Sequence, residues 1–179
     1  MDKPSTLSRT RRLNAHYLGI SRTNPAVPEL GGPLWNLRWL ACHGGAGVST
    51  LIGLTGVGHD AGASWPAADP AGPVPVVLVC RASATGTARA AAAIEQSRAV
   101  AGLKHIDLLG LVVVAAAPGA VSPHVSARLL LMAGWVRHHW WIGWQDAYVT
   151  ADDPRTVGPS PDLTGLRDKL IPLLRRSAS

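Results

Sequence analysis

Two stretches of this chain are apolar without alternation, and they restrict the possible fold more than any other feature. Residues 76–80 read Val-Val-Leu-Val-Cys, and residues 108–117 read Leu-Leu-Gly-Leu-Val-Val-Val-Ala-Ala-Ala. A strand with one face in water alternates apolar and polar side chains. These do not alternate, so each needs cover on both faces, the situation of strands in parallel sheets flanked by helices. The intervening segments supply that cover. Residues 85–102, rich in alanine and including Ile94, read as a helix, and Ser122 followed by Pro123 forms an N-cap and first-turn pair for a helix reaching about Arg137. Residues 34–42, with two tryptophans, read as an earlier strand, residues 49–57 as its following helix, and residues 140–144 as a short last strand. Residues 58–75 contain Gly58, Gly62, Pro66, Pro70, Gly72, Pro73 and Pro75 and read as a long connection. Near the end Leu163, Leu166, Leu170 and Leu173 share a helical face, with Pro172 expected to kink or stop that helix. The fold class expected is α/β: a compact, mostly parallel sheet flanked by helices, forming one domain over residues 34–176. Residues 1–33, with Pro4, Pro25, Pro28 and Pro33 among scattered charges, are expected to be a largely irregular arm.

The whole chain has 179 residues, enough for one such domain. Hydrophobic residues make up 47% and charged ones 16%, which excludes global disorder. The net charge of +6 is unevenly placed: residues 1–40 carry +4 and residues 167–179 carry +3, so the middle of the chain is close to neutral. Basic termini of this kind can meet nucleic acid, an anionic surface or an acidic protein partner. The two cysteines, Cys42 and Cys80, each close an apolar run and read as buried reduced thiols. Asp2, Lys3 and Pro4 begin no apolar segment of signal-peptide type, and the longest apolar run is about half the length that spans a bilayer, so a cytoplasmic protein without a transmembrane segment is expected.

Between the first strand and its helix lies Cys42-His43-Gly44-Gly45-Ala46-Gly47-Val48-Ser49-Thr50. Glycines let successive backbone N–H groups turn inward, and the helix N-terminus adds its positive end, so a strand, such a loop and a helix in series make an anion cradle. The loop resembles that of the deviant Walker A ATPases of ParA and MinD type, Lys-Gly-Gly-x-Gly-Lys-Thr-Thr, with Gly44, Gly45, Gly47, Ser49 and Thr50 in register. Residues 109–115, Leu-Gly-Leu-Val-Val-Val-Ala, are similar to a later strand of that family, and the resemblance runs in element order over about residues 34–150. More narrowly, the chain looks like a compact, degenerate relative of the actinobacterial "ATP/GTP-binding protein" type. The resemblance implies a P-loop NTPase-like fold, ATP or GTP bound along His43–Thr50 with Mg²⁺ on the Ser49 hydroxyl, a possible homodimer, and work in plasmid partitioning, conjugation or the positioning of secretion machinery.

Four positions depart from the family. His43 stands for its signature lysine and Val48 for the general P-loop lysine that neutralises the β- and γ-phosphates. Arg81 follows the third strand where an acidic Mg²⁺ ligand is usual, and Ala115 replaces a base-reading asparagine. No catalytic residue is therefore assigned. The expected function is that of a degenerate P-loop protein which binds nucleotide weakly or not at all and acts through a protein partner. The alternatives are an α/β scaffold or adaptor with no nucleotide, and a slow NTP hydrolase.

Other features are weaker. The chain has no phenylalanine, so tryptophan serves as core filler, but strand alternation sets Trp141 opposite Trp140 and Ile142 and makes Trp141 and Trp144 candidate partner contacts. Adjacent His138 and His139 diverge on any regular backbone and do not suggest a metal site. Arg9, Arg11 and Arg12 are the candidate contacts to nucleic acid or an acidic partner, and the terminal helix with Arg167, Lys169, Arg175 and Arg176 is a candidate for an anionic surface, though packing on the sheet is favoured. If the arm carries polyanion binding, deleting residues 1–30 should leave thermal stability nearly unchanged and remove most salt-sensitive affinity for a labelled duplex. Fluorescence anisotropy at two salt concentrations measures this, and equal binding by both proteins would move the contact to the C-terminal arginines.

Overall fold

The computed structural model describes residues 36–177. The arm, with Arg9, Arg11 and Arg12, lies outside the described residues, as do Leu34 and Trp35. Five parallel strands form one sheet: β1 (Arg38–Ala41), β2 (His59–Asp60), β3 (Val74–Arg81), β4 (Ile106–Val114) and β5 (His138–Ile142). Among the described residues five α-helices accompany them: α1 (Val48–Thr55), α2 (Ala84–Ala99), α3 (Pro123–Ala133), the short α4 (Asp146–Thr150) and α5 (Pro161–Ser177). The chain is thus an α/β protein with an all-parallel sheet flanked by helices, as the unalternating runs require.

The spatial order is β2-β1-β3-β4-β5. From β1 the chain crosses by α1 to β2 on one side; from β3 it crosses by α2 and α3 to β4 and β5 on the other. Parallel crossovers are right-handed, so this reversal of direction puts the helices on opposite faces. Accordingly α1 and α5 cover one face, where Leu51, Ile52, Leu163, Leu166, Leu170 and Leu174 meet Trp39, Val77, Val79, Trp140 and Ile142. On the other face Ile94 of α2 and Val125, Leu129 and Met132 of α3 meet Leu40, Val76, Leu78, Cys80, Leu111 and Val113.

Several boundaries differ from expectation. The connection after α1 holds the two-residue strand β2, whose His59 and Asp60 pair with Arg38 and Trp39. Its entry is fixed by Trp39, fully buried, whose indole N–H donates to Val57 O at 2.7 Å, and by Gly58, whose positive φ of 77° and close approach to that indole leave no space for a side chain. Helix α3 begins at Pro123 beneath the Ser122 cap, as the sequence predicts, but stops at Ala133, and β5 starts at His138. Helix α5 continues through Pro172 to Ser177 because Leu174, beyond the proline, is buried in the same core as Leu170; Leu173 is only partly buried. In β4 the register skips Leu109, since Val76 pairs with Leu108 and Val77 with Gly110. This bulge turns Leu109 and Val112, of opposite parity, toward the same face.

Gly110 next to the bulge sits so close to β5 that a Cβ would lie 2.3 Å from His138 O and 2.7 Å from the Trp140 ring. Gly110→Ala should therefore lower unfolding free energy by about 1–3 kcal/mol, by forcing β5 away from β4. In contrast Gly165, helical and with nothing near its Cβ position, gains helix propensity as alanine, and Gly165→Ala should raise stability by roughly 0.5–1 kcal/mol. Urea denaturation of the two variants checks both signs.

Candidate functional site

Where the winding direction reverses, the C-terminal ends of β1 and β3 leave a crevice that in open parallel sheets is the usual ligand position. The glycine loop stands there. Gly45 and Gly47 hold φ of 73° and 105°, left-handed values that a side chain rarely adopts. Gly47 is the N-cap of α1 and contributes no side chain, no other side chain caps the helix, and no acid occupies its first turn. The first helical hydrogen bond runs from Leu51 N–H to Gly47 O at 3.0 Å, so the N–H groups of Val48, Ser49 and Thr50 precede it at the positive end of the helix.

His43 ties this loop to β3. Its Nδ1 lies 2.9 Å from Gly44 O, which can only accept, and its Nε2 lies 3.0 Å from Arg81 N, which can only donate. With Nδ1 donating to Gly44 O and Nε2 accepting from Arg81 N–H, the ring joins the loop to the end of β3. The Arg81 side chain then folds back over the loop, donating from Nε to Gly45 O at 3.2 Å and from Nη1 to Ala115 O at 2.9 Å. Helix α2 starts against the same group. Its cap Ser83 accepts from Gly86 N–H at 3.0 Å, and a Cβ on Gly86 would lie 2.3 Å from Arg81 O and 3.0 Å from His43 Nε2.

A cavity of about 100 Å³ opens beside the loop, with Gly47, Thr50, Arg81, Ala115, Trp144 and Tyr148 among its lining. The candidate residues from the sequence therefore divide. Gly47, Thr50 and Trp144 come together at this cavity, Gly44 and Gly45 are exposed on the turn, and Ser49 is exposed but does not line the cavity. Ala46 (2% exposed) and Val48 (5%) face the core, so the position of the P-loop lysine is filled by a packing residue. Trp141, 39% exposed on β5, lies away from the cavity on the α2 and α3 side. Arg81 and Tyr148 are the residues that sequence reading missed. The available signal for Arg81 was a cation closing a buried run at the C-terminal end of a parallel strand, next in space to the glycine loop.

The donor set does not suit Mg²⁺, which is held by one or two carboxylates together with phosphate oxygens. No acid lines the cavity, and among the described residues no group of three or more His, Cys, Asp or Glu side chains is placed to hold a metal. Asp162 nearby accepts from Gly143 N–H at 2.8 Å, and Asp146 accepts from the Trp144 indole at 2.8 Å.

Cys42 and Cys80 precede His43 and Arg81 and fall at neighbouring register positions, one step beyond the Ala41–Val79 pair. Burial pushes the Cys42 thiol up to about 12, partly offset by a backbone hydrogen bond at Val79, and pushes the Cys80 thiol higher still, with Cys42 adding to the effect. Since the thiolate is the nucleophile, neither should react with an aromatic disulfide reagent at pH 8 in the folded protein, and both should react in denaturant. Rapid labelling of native Cys42 would show that the β1 end opens. Among the described residues no helix is long and apolar enough to cross a membrane. No protein-family model, curated protein or solved structure matches the chain.

Proposed function

We propose that the chain is a degenerate phosphate-binding-loop protein, of the ParA and MinD kind its loop resembles, which holds a phosphoryl anion weakly and acts through a protein partner without turnover. The observation that carries this reading is the convergence of three features at one crevice: the glycine turn, the uncapped start of α1, and the Arg81 guanidinium. Neither ion pair found among the described residues, Arg137 with Asp107 and Arg155 with Asp153, involves Arg81. Its charge faces backbone carbonyls, which leaves it available to an anion.

A reading without turnover is supported by Val48, which is packed in the core where the resembled loop has its lysine, and by a cavity lining that contains no carboxylate. Partner contact is supported by Trp141, a large ring left exposed on the edge strand β5. The adaptor reading, in which the loop takes no ligand, is favoured by one observation: His43 and Arg81 tie the loop to β3 and to Ala115 through protein groups.

Thermal denaturation with ATP or GTP separates the two. A ligand at ten times its Kd stabilises by about 1.4 kcal/mol, roughly 3–6 °C for a domain of this size. Gly45→Val should abolish the shift while the protein stays folded, since nothing lies near the Cβ position and only the left-handed backbone is disfavoured, by about 1–2 kcal/mol. No shift at millimolar nucleotide would establish the adaptor reading.

A further inference from the structure

Resting on the phosphate-binding reading, we propose that the site recognises the terminal phosphoryl group alone, without a divalent metal and without reading a base, with Arg81 as its cation. The disagreement between the loop's resemblance and the chemistry around it leads to this. A loop of that family implies a metal-bound nucleotide, yet Val48 fills the lysine position as a buried packing residue and no carboxylate lines the cavity.

Size comes first. Pockets that enclose a drug-sized or cofactor-sized ligand measure roughly 300–1,000 Å³. The cavity beside the loop, at about 100 Å³, has room for a phosphate-sized group and not for a whole nucleotide. Base reading fails for a second reason. The Tyr148 hydroxyl donates to Gly158 O at 2.9 Å and accepts from Ser160 N–H at 2.6 Å, and the Trp144 indole N–H is held by Asp146. Ala115 has no polar side chain to offer. The polar side chains left on the lining are Thr50, Gln145 and Arg81; Thr50 and Arg81 suit an oxyanion, and a cavity of this size holds no base against the Gln145 amide.

The charge arithmetic completes the case. In the resembled loop a lysine and a metal ion share the neutralisation of the phosphates. Here the lysine position is buried valine, and no carboxylate lines the cavity to fix a metal. Arg81 arrives from β3 instead, spending Nε and one Nη1 hydrogen on Gly45 O and Ala115 O. A guanidinium has five N–H donors, so three remain, and its planar fork matches phosphate oxygens. Because Arg81 is anchored to the loop it serves, it is positioned before ligand arrives.

The test compares tripolyphosphate, ATP and GTP, each in Mg²⁺ and in EDTA, by calorimetric titration of the full chain and of Arg81→Lys and Arg81→Gln, two variants that keep an N–H donor. The three probes should bind the parent within about threefold of one another, with EDTA changing affinity by less than about twofold. Arg81→Gln should weaken binding tenfold or more, while Arg81→Lys, which keeps the charge, should lose less. Binding confined to Mg²⁺, a tenfold preference for one nucleotide over tripolyphosphate, or unchanged affinity in Arg81→Gln would each overturn the inference and leave the phosphate-binding reading standing. Failure of all three probes to bind the parent would overturn both.

Discussion

Burial of β3 on both faces is the constraint from which the rest of the molecule follows. Its residues Val74 through Cys80 are all buried, and a strand in that position must have paired strands on both edges and helices on both sides. Right-handed crossovers then leave little freedom. Once β2 lies outside β1 and β4 lies on the other edge of β3, α1 and α2 must occupy opposite faces, and the crevice between the C-terminal ends of β1 and β3 follows. The location of the glycine loop is thus a result of how the sheet is wound.

At that crevice the glycine loop and the Arg81 guanidinium come from different strands. A P-loop lysine is delivered by the same loop that turns around the phosphate, whereas here the residue at that place, Val48, belongs to the core under α1 and the positive charge comes from Arg81 at the end of β3. His43, standing where the resembled motif has its other lysine, accepts the Arg81 N–H and so helps fix the strand end from which the guanidinium departs. Of the two positions at which this loop departs from the motif it resembles, Val48 packs in the core and His43 bonds to the end of β3.

The fold was legible because its signals are collective. Unalternating runs marked β3 and β4, and the Ser122–Pro123 pair marked the start of α3 within the correct residue. Features set by single close approaches were not legible. Nothing in a two-residue strand such as β2 distinguishes it from a loop, the bulge at Leu109 is visible only from its partner's register, and Pro172 fails to end α5 because burial of Leu174 outweighs the lost hydrogen bond. The glycine loop was found from its spacing, but the roles of Arg81, Tyr148 and Gly86 depend on which strand ends are neighbours, and that is decided by topology.

The all-parallel register also governs how the chain can reach this state. Arg38 pairs with Val76, Val74 with Ile106, and Gly110 with His138, so each of these pairings joins residues separated by 28 to 38 positions. No hairpin is available to nucleate the sheet, and each contact must close a long loop, an entropic demand of roughly 3 kcal/mol before any side chain is buried. Folding of such a topology is slow relative to a helical protein of equal size. Because β3 is shared by the first two of these pairings, it is the strand whose early exposure carries the greatest hazard of association with another unfolded chain.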